Sequence, residues 1–459
     1  MDTGDWNAPA AAHAPRQQQA APPARSAASS AARPAAAARP ASYSSATHDS
    51  YDDEPAASRP AQQHSDAHSS HSRSSHHTAG AAHWLHTEPV TVAVDPATAS
   101  DRPLYCLAVN ERNGSFVVGG ASHSLYVFDL ASAALRRELY SKQSGHTEWV
   151  TCCATLADGR VLSGGMDSKL VLWASSGPRG VDLLGHTGSI SKLAVDARDI
   201  GVSASYDRTI RVWSLNARQP RELHAMKATG PITALDWHNS AVLSGSREGQ
   251  LALWDVNTGA CVRNLSPSGT AQILTAQFGS IERGVAASAS TQESQAKGVG
   301  QPQSGAEWLV AAGGADGSLR LYDLRAESCI FQKRLSAGNP GSVTDVAFGM
   351  GRLAVSLSDG VASLLDARAG FKTVAVLGGH RAPLQALRFA PNNSDVIVSA
   401  ASNGWVAVHD VSEPTESKID AAYAMGLTTA GGINAMHVGN DRVVVAGDDG
   451  QPVILQYGV

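Results

Sequence analysis

The chain has 459 residues, a formal net charge of −5 at pH 7 and an apolar fraction of 43%. A mild negative balance argues against charge-driven binding to nucleic acid or to an anionic membrane surface, and no run approaches the ~18 apolar residues of a spanning helix. The five cysteines (Cys106, Cys152, Cys153, Cys261, Cys329) are odd in number and lack metal-ligand spacing, so they read as reduced packing residues of an intracellular protein.

Residues 1–86 are dominated by Ala, Pro, Ser, Gln and Arg with almost no large apolar side chain, a composition that cannot bury enough surface to fold and predicts a disordered tail. Trp6 to His48 holds Arg16, Arg25, Arg33 and Arg39 but no acid, the bias of an organelle transit peptide, set against Met1-Asp-Thr-Gly-Asp5 and prolines that forbid a continuous helix. His64, His68, His71, His76, His77, His83 and His86 crowd the end of this segment without fixing a metal geometry.

From Pro89 the pattern changes to short β-branched runs divided by Gly, Asp, Asn and Ser, the grammar of antiparallel strands. Gly145-His146 … Ser163 … Asp167 … Trp173 is followed forty residues on by Gly185-His186 … Ser203 … Asp207 … Trp213. An aromatic or apolar marker at the end of a third strand continues the period as Phe128, Trp173, Trp213, Trp254, Tyr322, Leu365, His409 and Leu455. One interval is too long; it contains the low-complexity run 282–305, read as an insertion. Eight markers predict eight four-stranded units over 87–459. The last copy has three strands before the chain ends, so Pro89–Val94 is expected to pair against Val453–Tyr457 and remove the open edge.

A period of 40 to 45 residues with this GH…W-D form resembles the WD-repeat (G-β-like) family of β-propellers. The resemblance implies an all-β ring; eight blades follow from the marker count, and seven, commoner in the family, is the alternative. It also implies that His146, Ser163, Asp167, Trp173 and His186, Ser203, Asp207, Trp213 form hydrogen-bonded chains inside their blades. That reading is preferred to a catalytic triad, because no nucleophile in a cleft and no oxyanion hole accompany them. Elsewhere the set decays: Glu248 stands near Ser244 and Trp254, Asn403 between Ser399 and His409, and Ser122 before Phe128. No catalytic residue, metal or cofactor is implied.

Propellers bind through the rim where second-to-third-strand and blade-to-blade loops emerge. Trp149, Met166, Tyr206, Arg247 and Arg381 fall at such places, and aromatic, Met and Arg side chains are the usual interface anchors. Trp149 has the competing reading of packing sideways between blades. Trp237, Phe278, Phe348 and Phe389, at first-strand ends, are expected in the core. Asp323-Leu-Arg325 and Asp366-Ala-Arg368 close adjacent repeats and look like the Asp-x-Arg signature of WD-repeat substrate receptors of cullin-RING ubiquitin ligases; a local turn-closing ion pair is the alternative. The expected function is a non-catalytic scaffold presenting its rim to other proteins or peptides, monomeric within a larger complex. A ligase receptor and a cytoskeletal or ciliary assembly factor are the alternatives. The expected location is the cytoplasm, with nuclear and cytoskeletal or ciliary placements open, and neither nucleic acid nor membrane is an expected partner.

Overall fold

The computed structural model describes residues 89–95, 100–141, 143–216, 218–265, 271–280, 308–326, 328–335, 341–413, 418–427 and 431–457. The predicted tail, its histidine tract and the insertion 282–305 lie outside these residues.

Among the described residues there are eight sheets, antiparallel but for one parallel pair at an outer edge, and no helix. Blade 1 comprises Leu104–Asn110, Ser115–Gly120, Leu125–Asp129 and Leu135–Leu139. Blades 2 to 8 repeat the plan, their first strands being Val150–Thr155, Ile190–Val195, Ile232–His238, Ile273–Ser280, Val343–Gly349, Leu384–Ala390 and Ile433–Val438. First strands of consecutive blades touch all the way round, and blade 8 returns to blade 1. The outermost strand of blade 8 is Val90–Ala93, antiparallel to Val453–Gln456 with Thr91 opposite Leu455. The ring is thus closed by its own N-terminal strand, with eight blades.

One position decides how each blade is filled. The eight marker residues each lie ten residues after a second-strand residue on the same side of the sheet. Where that earlier residue is Ser163, Ser203, Ser244 or Ser399, the marker is an N–H donor: Trp173, Trp213, Trp254 or His409. Where it is Val118, Val355 or Val445, the marker is Phe128, Leu365 or Leu455, and both side chains join one apolar cluster. Polar meets polar and apolar meets apolar, because a buried polar group without a partner is costly. Blade 5 is the exception: Tyr322 faces Ala312, and its buried hydroxyl has no partner among the described residues.

Blades approach closely because their second strands carry glycine at the contact. A Cβ on Gly164 would sit 2.7 Å from the Ile190 side chain, and one on Gly245 2.5 Å from that of Ile273. Every first strand also bulges at its second residue. In several blades the bulged side chain is aimed at the next blade: Thr151 donates to Ile190 O at 2.6 Å, and Asn434 to Leu104 O at 3.0 Å. On the opposite side Arg160, Arg352 and Arg442, at the starts of second strands, donate to the carbonyls of Leu215, Val411 and Leu130 in the following blade.

Blade 7 departs from the plan. After Asp410 the chain crosses to blade 6, where Lys418–Ile419 pairs in parallel with Val376 and Leu377 as a fifth strand, and then returns as Tyr423–Gly426. Nothing in the repeat period announces this excursion.

Candidate functional site

In blade 2, His146 Nδ1 lies 3.0 Å from Asp167, His146 Nε2 2.8 Å from Ser163 Oγ, and the Trp173 indole donates to Ser163 Oγ at 2.9 Å. Blade 3 repeats this with 2.8 Å from His186 to Asp207, 2.8 Å from His186 to Ser203 and 2.9 Å from Trp213 to Ser203. An indole can only donate, so the serine hydrogen is directed to histidine Nε2, and Nδ1–H to the carboxylate. Burial works against ionisation of Asp207, but the Thr187 amide, the Thr209 hydroxyl and His186 outweigh it and hold its carboxyl at about 2. Burial also lowers the His186 pKa, partly opposed by Asp207. Ser163 and Ser203 are fully buried, so no substrate carbonyl reaches either hydroxyl, and the chains act as blade fasteners.

Shortened chains occupy two other blades. Trp254 donates to Ser244 at 2.8 Å. In blade 7, His380 Nε2 lies 2.7 Å and His409 Nε2 3.1 Å from the same Ser399 hydroxyl. His380 is a site the repeat pattern did not pick out, although it follows Gly379 as His146 follows Gly145. Burial lowers its pKa to about 4, and burial plus His380 lowers that of His409 to about 3.

The rim is defined by one hydrogen bond repeated in all eight blades. The amide just past the second strand donates to a carbonyl just before the first: Ala121 to Pro103, Met166 to Trp149, Tyr206 to Ser189, Arg247 to Pro231, Ala315 to Gln272, Ser358 to Ser342, Ser402 to Pro383 and Asp448 to Gly432, all within 2.8–3.0 Å. Met166, Tyr206 and Arg247 therefore hold equivalent places on consecutive blades. Trp149 is 42% exposed, Met166 45% and Tyr206 48%; Arg247 and Arg381 are exposed as well. The corresponding residue of blade 1, Ala121, is buried, and those of blades 5 to 7 are Ala or Ser. Large side chains thus gather on blades 2 to 4, and Arg381, before blade 7, stands apart from them. Trp149 shares both expected features: it is exposed at the rim, and one side of its ring lies against Tyr105 across the blade 1–2 boundary, ring centroids 5.4 Å apart and tilted by 38°. Tyr105 is a rim residue without a motif to mark it; burial and the nearby Asp448 carboxylate raise its pKa. Ser189 donates to Met166 O at 3.2 Å, tying the blade 3 entrance to the patch.

The two Asp-x-Arg motifs lie after the third strands of blades 5 and 6. Asp323 accepts the Arg325 amide and Asp366 the Arg368 amide, each at 2.8 Å. The same turn occurs where no arginine follows: Asp129 accepts from Ala131, Asp255 from Asn257 and Asp410 from Ser412. The aspartates thus have a turn-forming role in five blades. Both arginines are exposed at matching turns, and Arg325 Nε is 3.6 Å from Asp323.

Sequence patterns also did not mark the carboxylates between first strands. Asp236 accepts the Phe278 amide of blade 5 at 2.7 Å, and Asp345 accepts the Leu387 amide of blade 7 at 3.0 Å and pairs with Arg388. Burial raises the Asp236 pKa to about 7, against the two amides and Arg388. Trp237, Phe278 and Phe348 are buried and Phe389 packs against the core. Cys106 and Cys152 are buried, but Cys261 and Cys329 lie exposed on outer strands and are not packing residues.

Residues 137–174 and 179–214, most of blades 2 and 3, match the family model described as "WD domain, G-beta repeat". Among curated proteins the chain is 26% identical over 204 residues to Mitochondrial division protein 1 of Kluyveromyces lactis, covering 36% of this chain and 28% of that protein. It is 28% identical over 151 residues to Autophagy-related protein 16 of Arabidopsis thaliana, covering 32% and 29%. With Ribosome biogenesis protein YTM1 of Eremothecium gossypii it shares 24% identity over 300 residues, covering 59% and 66%. The chain thus spans under a third of the length of the first of these relatives. The crystal structure of the computationally designed Ika8 protein superposes with a TM-score of 0.61 at 22% identity, over 81% of this chain and 100% of that one; this likeness speaks for the fold alone.

Proposed function

We propose that this WD-repeat propeller is a non-catalytic scaffold whose rim over blades 1 to 4 holds a partner protein or peptide. One observation carries the reading: Trp149, Met166 and Tyr206 remain about half exposed at fixed rim positions of adjacent blades, where burial would be the ordinary fate of such side chains. Tyr105 supports Trp149 from one side, and Arg247 adds a cation at the other end. Rigid aromatic and Arg anchors of this kind carry most of an interface's energy. The relatives' names point to mitochondrial division, autophagy and ribosome biogenesis. So disparate a set selects no process. The test compares proteins retained by the full chain and by a Trp149→Ala/Tyr206→Ala/Arg247→Ala variant of equal melting temperature. Loss of specific partners is expected; an unchanged set would remove the rim from the argument.

A second reading, a ligase substrate receptor, draws on the exposed Arg325 and Arg368 at matching turns of adjacent blades. A planar guanidinium offers a bidentate handle to a partner carboxylate. An Arg325→Ala/Arg368→Ala variant should then lose a cullin-RING linker while keeping its rim partners. If no such linker is bound by the unmodified chain, this reading fails and the rim reading stands.

A further inference from the structure

Two of the five cysteines, Cys106 and Cys153, converge where blade 1 meets blade 2. Cys106 is the third residue of the blade 1 first strand, and Cys153 the fourth residue of the blade 2 first strand. Both face the blade 1 strand Ser115–Gly120: the Cys106 thiol is 3.5 Å from Gly119 O and the Cys153 thiol 3.9 Å from Val117 O. Their side chains belong to one packed cluster with Val117, Val150 and Val161. Cys152 points the other way, as neighbours in a strand must. It packs with Ile190 and Leu193 toward blade 3, beside Thr151 and Gly164 O.

We propose that Cys106 and Cys153 are a redox pair that a hydroperoxide converts to a disulfide joining blades 1 and 2. Access assigns the order. Cys106 is buried whereas Cys153 is part-exposed, so the oxidant meets Cys153 first. The Cys153 thiolate attacks the peroxide oxygen; the O–O bond breaks, an alkoxide or hydroxide leaves, and Cys153 becomes a sulfenic acid. The Cys106 sulfur then attacks the Cys153 sulfur and gives up its proton. An S–S bond forms, the S–O bond breaks, and the hydroxide leaves with that proton as water. Two electrons have passed from the sulfur pair to the peroxide. Burial keeps the Cys106 thiol from the oxidant, and its place in the same cluster as Cys153 makes it the resolving sulfur. Cys152 faces blade 3 in a separate cluster, which keeps it a bystander.

The pairing of thiols at this boundary also has a plain packing explanation, since free cysteine behaves as a small apolar residue. The two accounts separate experimentally. Full-length protein carrying Cys261→Ser and Cys329→Ser, which removes the two exposed thiols, is treated with hydrogen peroxide, alkylated and digested without reduction. The expected product is a single linked peptide pair containing Cys106 and Cys153, a mass lower by two hydrogen atoms, an upward shift in melting temperature, and reversal of all three by dithiothreitol. In the additional Cys106→Ser variant, the expected product is Cys153 trapped by dimedone as its sulfenic acid, with no linkage. Linkage of Cys152 to Cys153, over-oxidation of Cys153 with Cys106 still alkylated, or no change at Cys153 would each overturn the proposal. The peptide map of the parent protein decides the matter even if the Cys106→Ser variant does not fold.

Discussion

His409 Nε2 lies 3.1 Å from Ser399 Oγ, at the place an indole N–H occupies in blades 2, 3 and 4. The same hydroxyl meets His380 at 2.7 Å, so one serine bridges two imidazoles. In blades 2 and 3 a carboxylate receives the far nitrogen of the histidine; here Asn403 stands in its place, and Nδ1 of both His380 and His409 is buried without a partner among the described residues.

Acid sensitivity follows. The ordinary imidazole pKa of 6.5 falls to about 4 for His380 and about 3 for His409 in the folded chain. The unfolded chain therefore binds more protons below pH 6.5, and stability is lost as pH falls from there toward the folded values. At pH 5 the loss is about 2 kcal/mol per imidazole. Asn403→Asp, which restores the carboxylate found in blades 2 and 3, should raise the His380 pKa and flatten the profile. Denaturant midpoints measured at pH 7 and pH 5 test this; identical acid losses for the parent and Asn403→Asp would refute it.

The complete chains predict a different loss. Asp207→Ala leaves the Thr187 amide without its acceptor and His186 Nδ1–H with the Thr209 hydroxyl alone, and Trp213→Phe removes the donor to Ser203. Each should cost about 1–3 kcal/mol and lower the melting temperature, while partner binding at physiological temperature is kept. A folded Asp207→Ala protein with unchanged stability would show that the chain fastens nothing.

Much of this was legible because each blade repeats one packing problem. A side chain must fill the gap between second and third strands, and its polarity is set by the residue ten positions earlier, so Phe128 and Leu455 are as readable as Trp213. His380 follows Gly379 as His146 follows Gly145, but it stands 19 residues before its serine where His146 and His186 stand 17, and Asn403 and His409 break the rest of the pattern after it. Tyr105 and the Cys106–Cys153 pair are different in kind. They depend on which residues of neighbouring first strands come face to face, and no spacing within a repeat encodes that. The crossing of Lys418–Ile419 to blade 6 is likewise a tertiary choice: Ile419 gains a place against the cluster of Leu364, Ala375 and Leu377.

Tyr322 marks a place where the packing rule is broken, and repairing it should help. Its hydroxyl is buried opposite Ala312 without a partner among the described residues, and burial raises its pKa to about 12. Tyr322→Phe removes the orphan group and keeps the ring, so stability should rise by about 1 kcal/mol. A destabilised Tyr322→Phe protein would mean that the hydroxyl has a partner after all.

Ring closure makes the largest demand on a few residues. Val90, Thr91, Val92 and Ala93 pair in register with Gln456, Leu455, Ile454 and Val453. Val94 is buried with Leu104, Phe116 and Ile454 in the cluster that joins blade 8 to blade 1. Deleting residues 1–86 spares this strand, whereas deleting through Val94 strips the outer edge of Val453–Gln456 and leaves an apolar hollow. Burial of a Val side chain contributes about 1.5–3 kcal/mol, and the ladder hydrogen bonds are lost with it. The longer truncation should therefore melt markedly lower and associate through its open edge, while the shorter one melts as the full chain does. Thermal melts and light scattering on the two truncations decide it: equal melting temperatures and equal particle size would mean that this strand does not close the ring.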